Sequence, residues 1–505
     1  MKTQQFDVVV LGSGFAGSLA AMILQRVGRR VALIDKTRHP RFAIGESSTP
    51  IADMVLRDLA NRYDLARLLP LTKYGTWQQA YPHIGCGLKR GFSYFAHEAG
   101  RTFAPSPTHA NELLVAASSH DRDSDTQWLR ADVDHFFCSE AAKLGVTVLE
   151  DCAVCEIQHG IQHVGVGDWS IDCQYDEQAI SLRASFVIDA TGEAGILPRS
   201  LGIESCVKQC QTHSRAIFSH FRGVRSWNEL LNNLGGNTQD HPFHCDNAAQ
   251  HHVLDGAWFW MLRFNDGLTS AGLVFDDAKH PLDHSLGAAA EWNQWLGRYP
   301  SVAAMFAGAE FAIVPGKLIR TQRLQRRWAH VAGEDWALLP HTAGFIDPLH
   351  STGIAHSLCG VERLCQILDH EWRADTRTVS LLDYGDIVTT ELDLIDELVA
   401  SCFATFTQFD LLAVASMLYF AAATTYERLR CGGDSSLAFL GADRKEIRDV
   451  LKAACSTVAR QANTPGPIAI EQIRRDVASM IAPINHVGLL DSTLANMYRH
   501  TVAPI

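Results

Sequence analysis

The chain lacks an apolar run long enough to cross a membrane. Its longest nearly uninterrupted apolar stretch, residues 411–423, holds 13 residues, whereas a transmembrane helix needs about 20. The opening residues also lack the basic region, apolar core and cleavage site of a signal peptide. We therefore expect a soluble, cytoplasmic protein with no membrane partner, in which residues 411–423 form a buried helix.

A basic face for nucleic acid is also missing. The 505 residues carry 44 Lys and Arg against 56 Asp and Glu, so the formal net charge is -12. This balance speaks against a nucleic-acid partner. There is no repeat or low-complexity tract, and 47% of the residues are hydrophobic, which excludes a mainly disordered or fibrous chain. The length predicts two or three structural units.

Metal-binding spacings are scarce. The 13 cysteines are scattered, and the close pair Cys152 and Cys155 has no second pair at the distance that structural zinc requires. The histidines are dispersed as well, and we expect His241, His244, His251 and His252 to lie in loops or at the surface. No metal site is expected.

What the sequence does contain begins with a phosphate-binding turn. A buried, strand-like run leads into Gly12-Ser-Gly14-Phe-Ala-Gly17, a helical segment follows, and a second strand ends at Asp35. Gly12 permits the tight turn, Gly14 lets the backbone approach a pyrophosphate, and Gly17 lets the helix pack closely on the strand. The helix N-terminus favours the phosphates, and Asp35 can bind a ribose hydroxyl.

A later segment indicates which dinucleotide is bound. The strand-like residues 185–188 lead into Asp189-Ala-Thr-Gly192, which resembles the second flavin-contact motif of FAD-dependent monooxygenase-like proteins. The sequence has no second unit of strand, GxGxxG and helix. We therefore expect one FAD, no dedicated NAD(P)H domain and an external source of reduced flavin.

Four further segments resemble the flavin-dependent halogenases. They are Gly45-Glu46-Ser-Ser-Thr-Pro50, Cys86-Gly-Leu-Lys89-Arg-Gly-Phe-Ser, Arg130-Ala-Asp-Val-Asp134 and the stretch from Gly333 to Gly353. The resemblance covers residues 1 to about 370, and it is nearest to the phenol halogenases of the phloroglucinol type.

The resemblance implies a mechanism and a set of partners. FADH2 from a separate flavin reductase would react with O2 to give a flavin hydroperoxide, which chloride or bromide would convert to hypohalous acid. Lys89 would hold or activate this oxidant beside an electron-rich phenolic substrate, either free or tethered to a carrier protein. An ordinary solvated lysine beside Arg90 is the alternative for Lys89.

The resemblance also assigns the remaining site residues. A halide would bind at Ser351, Thr352 and Gly353, unless these residues only cap the following helix. Trp258, Trp260 and His350 would lie on the substrate side, with His350 either a general base or a packing residue, and the tryptophans either functional or ordinary strand aromatics. The residues implied for FAD binding are Gly12, Gly14, Ala16, Gly17, Asp35, Arg41, Glu46, Ser47, Arg130, Asp189, Thr191, Gly192, Asp347, Gly353 and Ile354.

Two departures from the family pattern keep alternatives open. The family signature Trp-x-Trp-x-Ile-Pro ends here in Arg263, which favours an FAD-dependent monooxygenase or dehydrogenase on the same scaffold. His350 stands where tryptophan halogenases carry Glu, which speaks against free tryptophan as the substrate. A flavin-binding protein without turnover is the third possibility.

The predicted architecture is α/β. A Rossmann-like FAD domain of the monooxygenase/halogenase type would comprise 1–200 and 310–380, with 95–128 as a loop excursion. Residues 200–310 would form a substrate-side sheet, and 380–505 a helical region, because 392–406, 411–429 and 444–461 have helical spacing.

Overall fold

The computed structural model describes residues 2–160, 169–176, 178–434, 437–463, 469–499 and 501. Its strands are β1 (Lys2–Leu11), β2 (Val31–Ile34), β3 (Cys86–Lys89), β4 (Gly91–Ala96), β5 (Glu112–Ala116), β6 (Asp125–Trp128), β7 (Thr147–Leu149), β8 (Cys152–His159), β9 (Trp169–Tyr175), β10 (Gln178–Asp189), β11 (Ser214–Arg222), β12 (Ala249–Leu254), β13 (Ala257–Arg263), β14 (Leu268–Asp276), β15 (Glu310–Phe311), β16 (Ile319–Arg320), β17 (Arg326–Arg327), β18 (Trp336–Leu338), β19 (Gly344–Phe345) and β20 (Met497–Tyr498).

The helices alternate with these strands in the first half of the chain and dominate the last quarter. They are α1 (Phe15–Arg26), α2 (Pro50–Arg62), α3 (Tyr74–Ala80), α4 (Arg130–Lys143), α5 (Ile196–Ser200), α6 (Trp227–Asn233), α7 (Ala288–Arg298), α8 (Pro300–Met305), α9 (Pro340–Ala343), α10 (Thr352–His370), α11 (Arg377–Phe403), α12 (Phe409–Cys431), α13 (Lys445–Ala462) and α14 (Ile470–Ile481).

The first sheet is the Rossmann-like layer that the glycine motif predicts. Its order is β7-β2-β1-β10-β9-β8, and β18 also pairs with β10. The neighbours β7, β2, β1 and β10 are parallel, whereas β9 and β8 are antiparallel additions. The apolar run at the end of β1 is fully buried, as expected of a central parallel strand covered on both faces. The predicted α/β fold class is confirmed.

The second sheet is larger than the one expected within 200–310. Its order is β15-β11-β14-β13-β12-β4-β5-β20, and β16 pairs with β11. Residues 95–128, expected to form a loop excursion, instead contain β5 and β6. The reason is that the apolar residues of β5 pair with β4 and extend the sheet, and local spacing does not reveal such a long-range partner.

The last quarter of the chain is mainly helical. The predicted stretches 411–429 and 444–461 match α12 and α13, whereas 392–406 covers only the second part of α11, which begins at Arg377 and ends at Phe403. Helix α12 is long and apolar enough to cross a membrane, with a mean hydropathy of 1.3, but 89% of that window is buried inside the protein. It is therefore a core helix, as residues 411–423 suggested. The chain ends by adding β20 in parallel to β5.

Candidate active site

The glycine turn between β1 and α1 is built as a phosphate site requires. Gly12 has φ +96°, and a Cβ there would lie 2.6 Å from the carbonyl oxygen of Ala190. A Cβ on Gly17 would lie 2.1 Å from the Gly12 oxygen, so the protein's own packing demands glycine at both positions. At Gly14 the nearest atom would be 3.5 Å away, on Arg130. The protein's own packing therefore does not require glycine at position 14, and the absence of a side chain there leaves the backbone open to a ligand.

The N-terminus of α1 is partly open for an anion. Gly14, its N-cap, has no side chain that could cap the helix, and the first turn contains no acidic residue. The first N–H, that of Phe15, donates to the Asp134 carboxylate. Ala16, also expected near the cofactor, is half-buried in this first turn. Free backbone N–H groups and the helix dipole attract phosphate at such an end.

Asp35 lies beside this turn as a fixed carboxylate. One of its oxygens accepts hydrogen bonds from the backbone N–H and the hydroxyl of Ser13, at 3.0 and 2.8 Å. The same oxygen forms an ion pair with Arg41 at 3.0 Å. Thr37 donates to the other oxygen. Burial tends to raise the pKa of Asp35, but Arg41 and the hydrogen bonds outweigh it and lower the pKa to about 2. The carboxylate therefore stays charged beside the dinucleotide turn.

Arg130 joins three of the predicted motifs. Its guanidinium forms two hydrogen bonds of 2.9 Å with Asp134 and donates to the carbonyl oxygens of Ile44 and Gly45 at 3.0 Å. Asp134 in turn accepts from the backbone N–H of Phe15, at the start of α1. The structure thus brings the α4 entrance, the loop around Gly45 and the phosphate turn together.

The Asp189-Ala-Thr-Gly192 segment forms a second turn against the first one. Asp189 accepts hydrogen bonds from Thr191 and from the backbone N–H of Leu197, so its carboxylate holds the turn in shape. Gly192 has φ +62°, and its N–H donates to Thr342 at 2.9 Å. The Asp189 carboxylate therefore serves to hold the backbone of this turn, because both of its oxygens accept hydrogen bonds from the protein.

Several buried polar atoms near Glu46 have no protein partner. One Glu46 oxygen lies 2.7 Å from Nε2 of His220, but the other is buried without a hydrogen bond, as are the hydroxyl of Ser47 and both amide atoms of Gln127. Ser47 and Gln127 are bridged through their backbones. Buried polar groups normally find partners, so this cluster fits a place where a polar cofactor or ordered water completes the structure.

The predicted halide segment forms the start of α10. Ser351 is the N-cap in the left-handed region, with φ +53°, and it makes no capping hydrogen bond through its side chain. Thr352 and Ile354 are buried, whereas a Cβ on Gly353 would meet no atom within 4 Å. Space therefore adjoins an uncapped helix N-terminus, which is the setting that small anions favour.

Asp347 precedes this helix but is engaged inside the protein. Its carboxylate accepts hydrogen bonds from the hydroxyl of Ser214 at 2.7 Å and from the backbone N–H of Leu349 at 3.1 Å. Burial raises its pKa to about 7. The residue thereby links β11 to the turn that leads into α10.

Lys89 is fully buried rather than solvated beside Arg90. Its ammonium donates to the carbonyl oxygen of Ser48 and lies 4.1 Å from the centre of the Phe92 ring. Burial lowers its pKa to about 8, although the charges of Asp125 and Asp53 counteract this. At pH 7 the group is therefore mostly the ammonium, with roughly a tenth of it as the free amine.

Two aspartates that the sequence did not point to lie beside Lys89. Asp125 is its direct partner across the β3–β6 pair, and both Asp125 oxygens are buried without a hydrogen-bond donor. Burial raises the pKa of Asp125, and burial together with the neighbouring Asp125 raises that of Asp53. The alternation of side chains along β6 would predict that Asp125 faces Lys89 only if the pairing of β6 with β3 were known.

The substrate-side residues form part of one aromatic cluster next to Lys89. Trp258 and Trp260 occupy the same face of β13, with ring centres 6.1 Å apart, so neither is a surface residue. His350 stacks on Tyr419 at 4.6 Å, and Tyr419 lies 6.1 Å from Phe92. His251, expected at the surface, is instead buried in this cluster, stacked 4.4 Å from Tyr94 and 5.1 Å from Trp258.

The expectation for the paired histidines 251 and 252 was wrong because both residues belong to β12, an inner strand of the second sheet. Burial lowers the pKa of His350 to about 3, with a smaller effect of His251. A neutral imidazole with so low a pKa is a weak base, which favours packing over general-base catalysis for His350.

Arg263 lies away from the tryptophan pair. Because side chains alternate along a strand, position 263 falls on the opposite face of β13 from Trp258 and Trp260. Its guanidinium donates to the carbonyl oxygen of Val224 at 3.0 Å and lies 3.4 Å from the Asp246 carboxylate. The arginine therefore ties the end of the strand to a neighbouring loop.

Comparisons with known proteins concern the family and the fold of the chain. A family model described as Tryptophan halogenase matches residues 127–410, and one described as FAD dependent oxidoreductase matches residues 7–217. The chain is 29% identical to the monodechloroaminopyrrolnitrin halogenase PrnC of Pseudomonas fluorescens over 420 residues, which cover 81% of this chain and 70% of that protein.

Two further similarities extend the comparison. The tetracycline 7-halogenase of Kitasatospora aureofaciens is 26% identical, over 80% of this chain and 71% of its own length. The crystal structure of the halogenase PltM in complex with phloroglucinol and FAD superimposes with a TM-score of 0.84 and 22% identity, covering 99% of both chains. At this identity the superposition establishes the shared fold.

Proposed function

The chain belongs to the flavin-dependent halogenases and binds FAD, and on that premise we propose that it halogenates an electron-rich phenolic ring with Lys89 as the catalytic residue. The observation that carries the proposal is the environment of Lys89. This ammonium is fully buried, across the strand pair from Asp125 and against an aromatic cluster. Burying a charge costs free energy that packing alone does not recover.

Residues of this chain would hold FAD at the glycine turn. Gly12, Gly14 and Gly17 shape the turn, the α1 N-terminus would hold the pyrophosphate, and Asp35, paired with Arg41, would bind a ribose hydroxyl. When bound and reduced, FAD together with O2 supplies the oxidising power that converts a halide into hypohalous acid. The partner-free atoms of Glu46, Ser47 and Gln127 lie between this turn and Lys89 in the fold, because the loop 45–48 contacts both Arg130 and Lys89.

The start of α10 would bind the halide. The N–H groups of Thr352 and Gly353 are at an uncapped helix end with no acidic side chain in its first turn, so an anion meets no competing carboxylate there. Hypohalous acid carries both a polar O–H and an electrophilic halogen. Lys89 could hold it through a hydrogen bond from the ammonium. Alternatively, the free amine could bond to the halogen while the oxygen–halogen bond breaks, and the hydroxide would leave as water with a proton from the amine.

The aromatic cluster would position the substrate ring. Trp258, Trp260 and Tyr419 offer flat apolar faces, and electrophilic substitution requires a ring rich in electrons. Relatives indicate how broad the choice is: one is named a chlorinase of 1H-pyrrole-2-carbonyl-[peptidyl-carrier protein], and the PltM structure contains phloroglucinol. We propose a phenol as substrate, free or carrier-tethered, and a separate reductase as the source of reduced FAD.

The monooxygenase or dehydrogenase alternative rested on Arg263. Since that side chain is engaged with Val224 and Asp246 on the other face of β13, its charge does not enter the aromatic cluster. The geometry gives this alternative no separate support.

The experiment that tests the proposal supplies FAD, a flavin reductase, NADH, O2 and bromide, with phloroglucinol and a panel of substituted phenols. A product with the paired isotope peaks of bromine supports halogenation. A product that gains one oxygen, or loses two hydrogens, would replace it by the monooxygenase or dehydrogenase function. Omitting the reductase while adding chemically reduced FAD tests whether the reductase is needed only as a source of FADH2.

A further inference from the structure

A buried carboxylate lies between two imidazoles at the far end of the second sheet. Glu112 begins β5, His109 lies three residues earlier in the preceding loop, and His241 lies in the loop between α6 and β12. These side chains are nearly inaccessible, with relative exposures of 1%, 4% and 9%. One Glu112 oxygen is 3.1 Å from Nδ1 of His109 and 2.9 Å from Nε2 of His241, and the three donor atoms lie within 4.8 Å of one another.

This donor set is that of a transition metal. Two imidazole nitrogens and one carboxylate oxygen bind Zn²⁺ at about 2.0 to 2.2 Å, and donors on one tetrahedral ion are separated by slightly more than 3 Å. The Glu112 oxygen lies 2.9 and 3.1 Å from the two imidazole nitrogens, slightly closer than on such an ion, and the two nitrogens lie within 4.8 Å of each other. A buried glutamate is otherwise costly unless its charge is compensated.

The surroundings also orient one of the ligands. The second ring nitrogen of His109, Nε2, faces a carboxylate oxygen of Asp240 at 3.4 Å, and Asn237 hydrogen-bonds that same oxygen. A ligating histidine usually donates its other N–H to a carboxylate, which fixes the tautomer that leaves the first nitrogen free for the metal. Nδ1 of His109 then faces Glu112 with its lone pair.

We infer that His109, Glu112 and His241 form a binding site for a divalent transition ion, Zn²⁺ by the chemistry of the donors, with water as the fourth ligand. The alternative for the same atoms is a hydrogen-bonded cluster in which a histidine is protonated and Glu112 accepts from both rings. The two arrangements differ in metal content, and that difference can be measured directly.

The position of the site indicates a structural role. The amide of Asn496 donates to the carbonyl oxygen of His109, and Arg499 donates to that of Asp240, both at 3.3 Å. Strand β20 pairs with β5 just beyond Glu112. An ion here would therefore join the two loops that hold the C-terminal strand. Glu112 pairs with Phe95 on β4. Phe95 is four residues from Gly91, the end of β4 nearest Lys89, so the site lies about 13 Å along the strand from that end.

The first test is the metal content of the full-length protein purified with FAD but without added chelator, determined by mass spectrometry of the elements. We expect about one zinc per chain, and less than a tenth of that in Glu112→Gln and His241→Asn. The exposed His244→Asn, from the same loop, should keep the metal. A wild-type protein without metal that also binds no added Zn²⁺ overturns the inference, as does full occupancy in Glu112→Gln.

A second measurement does not depend on the folding of the variants. The wild-type protein is stripped with a chelator and titrated with Co²⁺, whose visible absorption is intense only in a tetrahedral site. We expect the tetrahedral spectrum to saturate at one equivalent and Zn²⁺ to abolish it. A weak, octahedral spectrum throughout the titration contradicts the site. Removal of the ion should also speed proteolysis of the C-terminal segment without changing FAD binding.

Discussion

Replacing Lys89 with Met should stabilise the protein at neutral pH while it removes the proposed activity. The pKa of Lys89 falls from its ordinary value of 10.5 to about 8 in the folded protein. At 1.36 kcal/mol per pKa unit, keeping this ammonium buried costs about 3 kcal/mol at pH 7. Methionine has a similar length and no charge. Loss of the hydrogen bond to Ser48 offsets about 1 kcal/mol of the gain.

The sign of the pH dependence is the decisive part of this prediction. The unfolded lysine holds its proton up to about pH 10.5, whereas the folded lysine loses it from about pH 8. Between these values the unfolded state binds more protons, so the wild type gains stability as the pH rises. Below about pH 8 both states are protonated and the full cost of burial is present. The advantage of Lys89→Met should therefore shrink by about 2 kcal/mol between pH 7 and 9.5.

The assay is urea unfolding of both proteins at several pH values, without FAD, with the exposed Lys208→Met as the control for loss of a lysine. The control should differ from the wild type by a small, constant amount. The contrary result is that Lys89→Met is less stable than the wild type at pH 7, and by the same margin at pH 9.5. Burial of the ammonium would then cost the folded protein no stability, and the argument for a functional charge would fail.

Three further changes test other parts of the site. Asp125→Asn should move the ionisation of Lys89 in the pH profile of kcat to lower pH by about one unit, because the carboxylate that supports the ammonium is removed; an unchanged profile would count against their coupling. Gly14→Ala should fold as the wild type does but raise the Kd for FAD about 100-fold, measured by flavin fluorescence, whereas Gly297→Ala, which also meets no close neighbour, should leave it unchanged. His350→Phe should keep product formation within a few-fold of the wild type, since stacking on Tyr419 persists, and a near-complete loss would restore the general-base hypothesis.

The sequence was most informative where the function depends on neighbouring residues. The β1 turn, the start of α1 and Asp35 lie within one short segment, so spacing alone predicts their arrangement. The buried helix within α12 followed from its unbroken apolar run. Both features are local, and in both the residue types demand one conformation.

The sequence was least informative where strands from distant segments meet. Asp125 becomes relevant to Lys89 only through the β3–β6 pairing, and the size of the second sheet depends on β4, β5 and β20. His251 and its neighbour read as surface residues because paired histidines are polar, yet an inner strand buries them. No local pattern specifies which strand lies beside which, and tertiary pairing decides these contacts.

The central claim is that Lys89 delivers the oxidant to the substrate, and one single-turnover experiment tests it most directly. Protein loaded with chemically reduced FAD is mixed with O2, bromide, phloroglucinol and excess free methionine, which consumes any hypobromous acid that leaves the protein. Flavin reoxidation and brominated product are followed together in the wild type and in Lys89→Met. We expect the same flavin reoxidation in both proteins and brominated phloroglucinol from the wild type alone. Equal yields of brominated product from the two proteins would contradict the account.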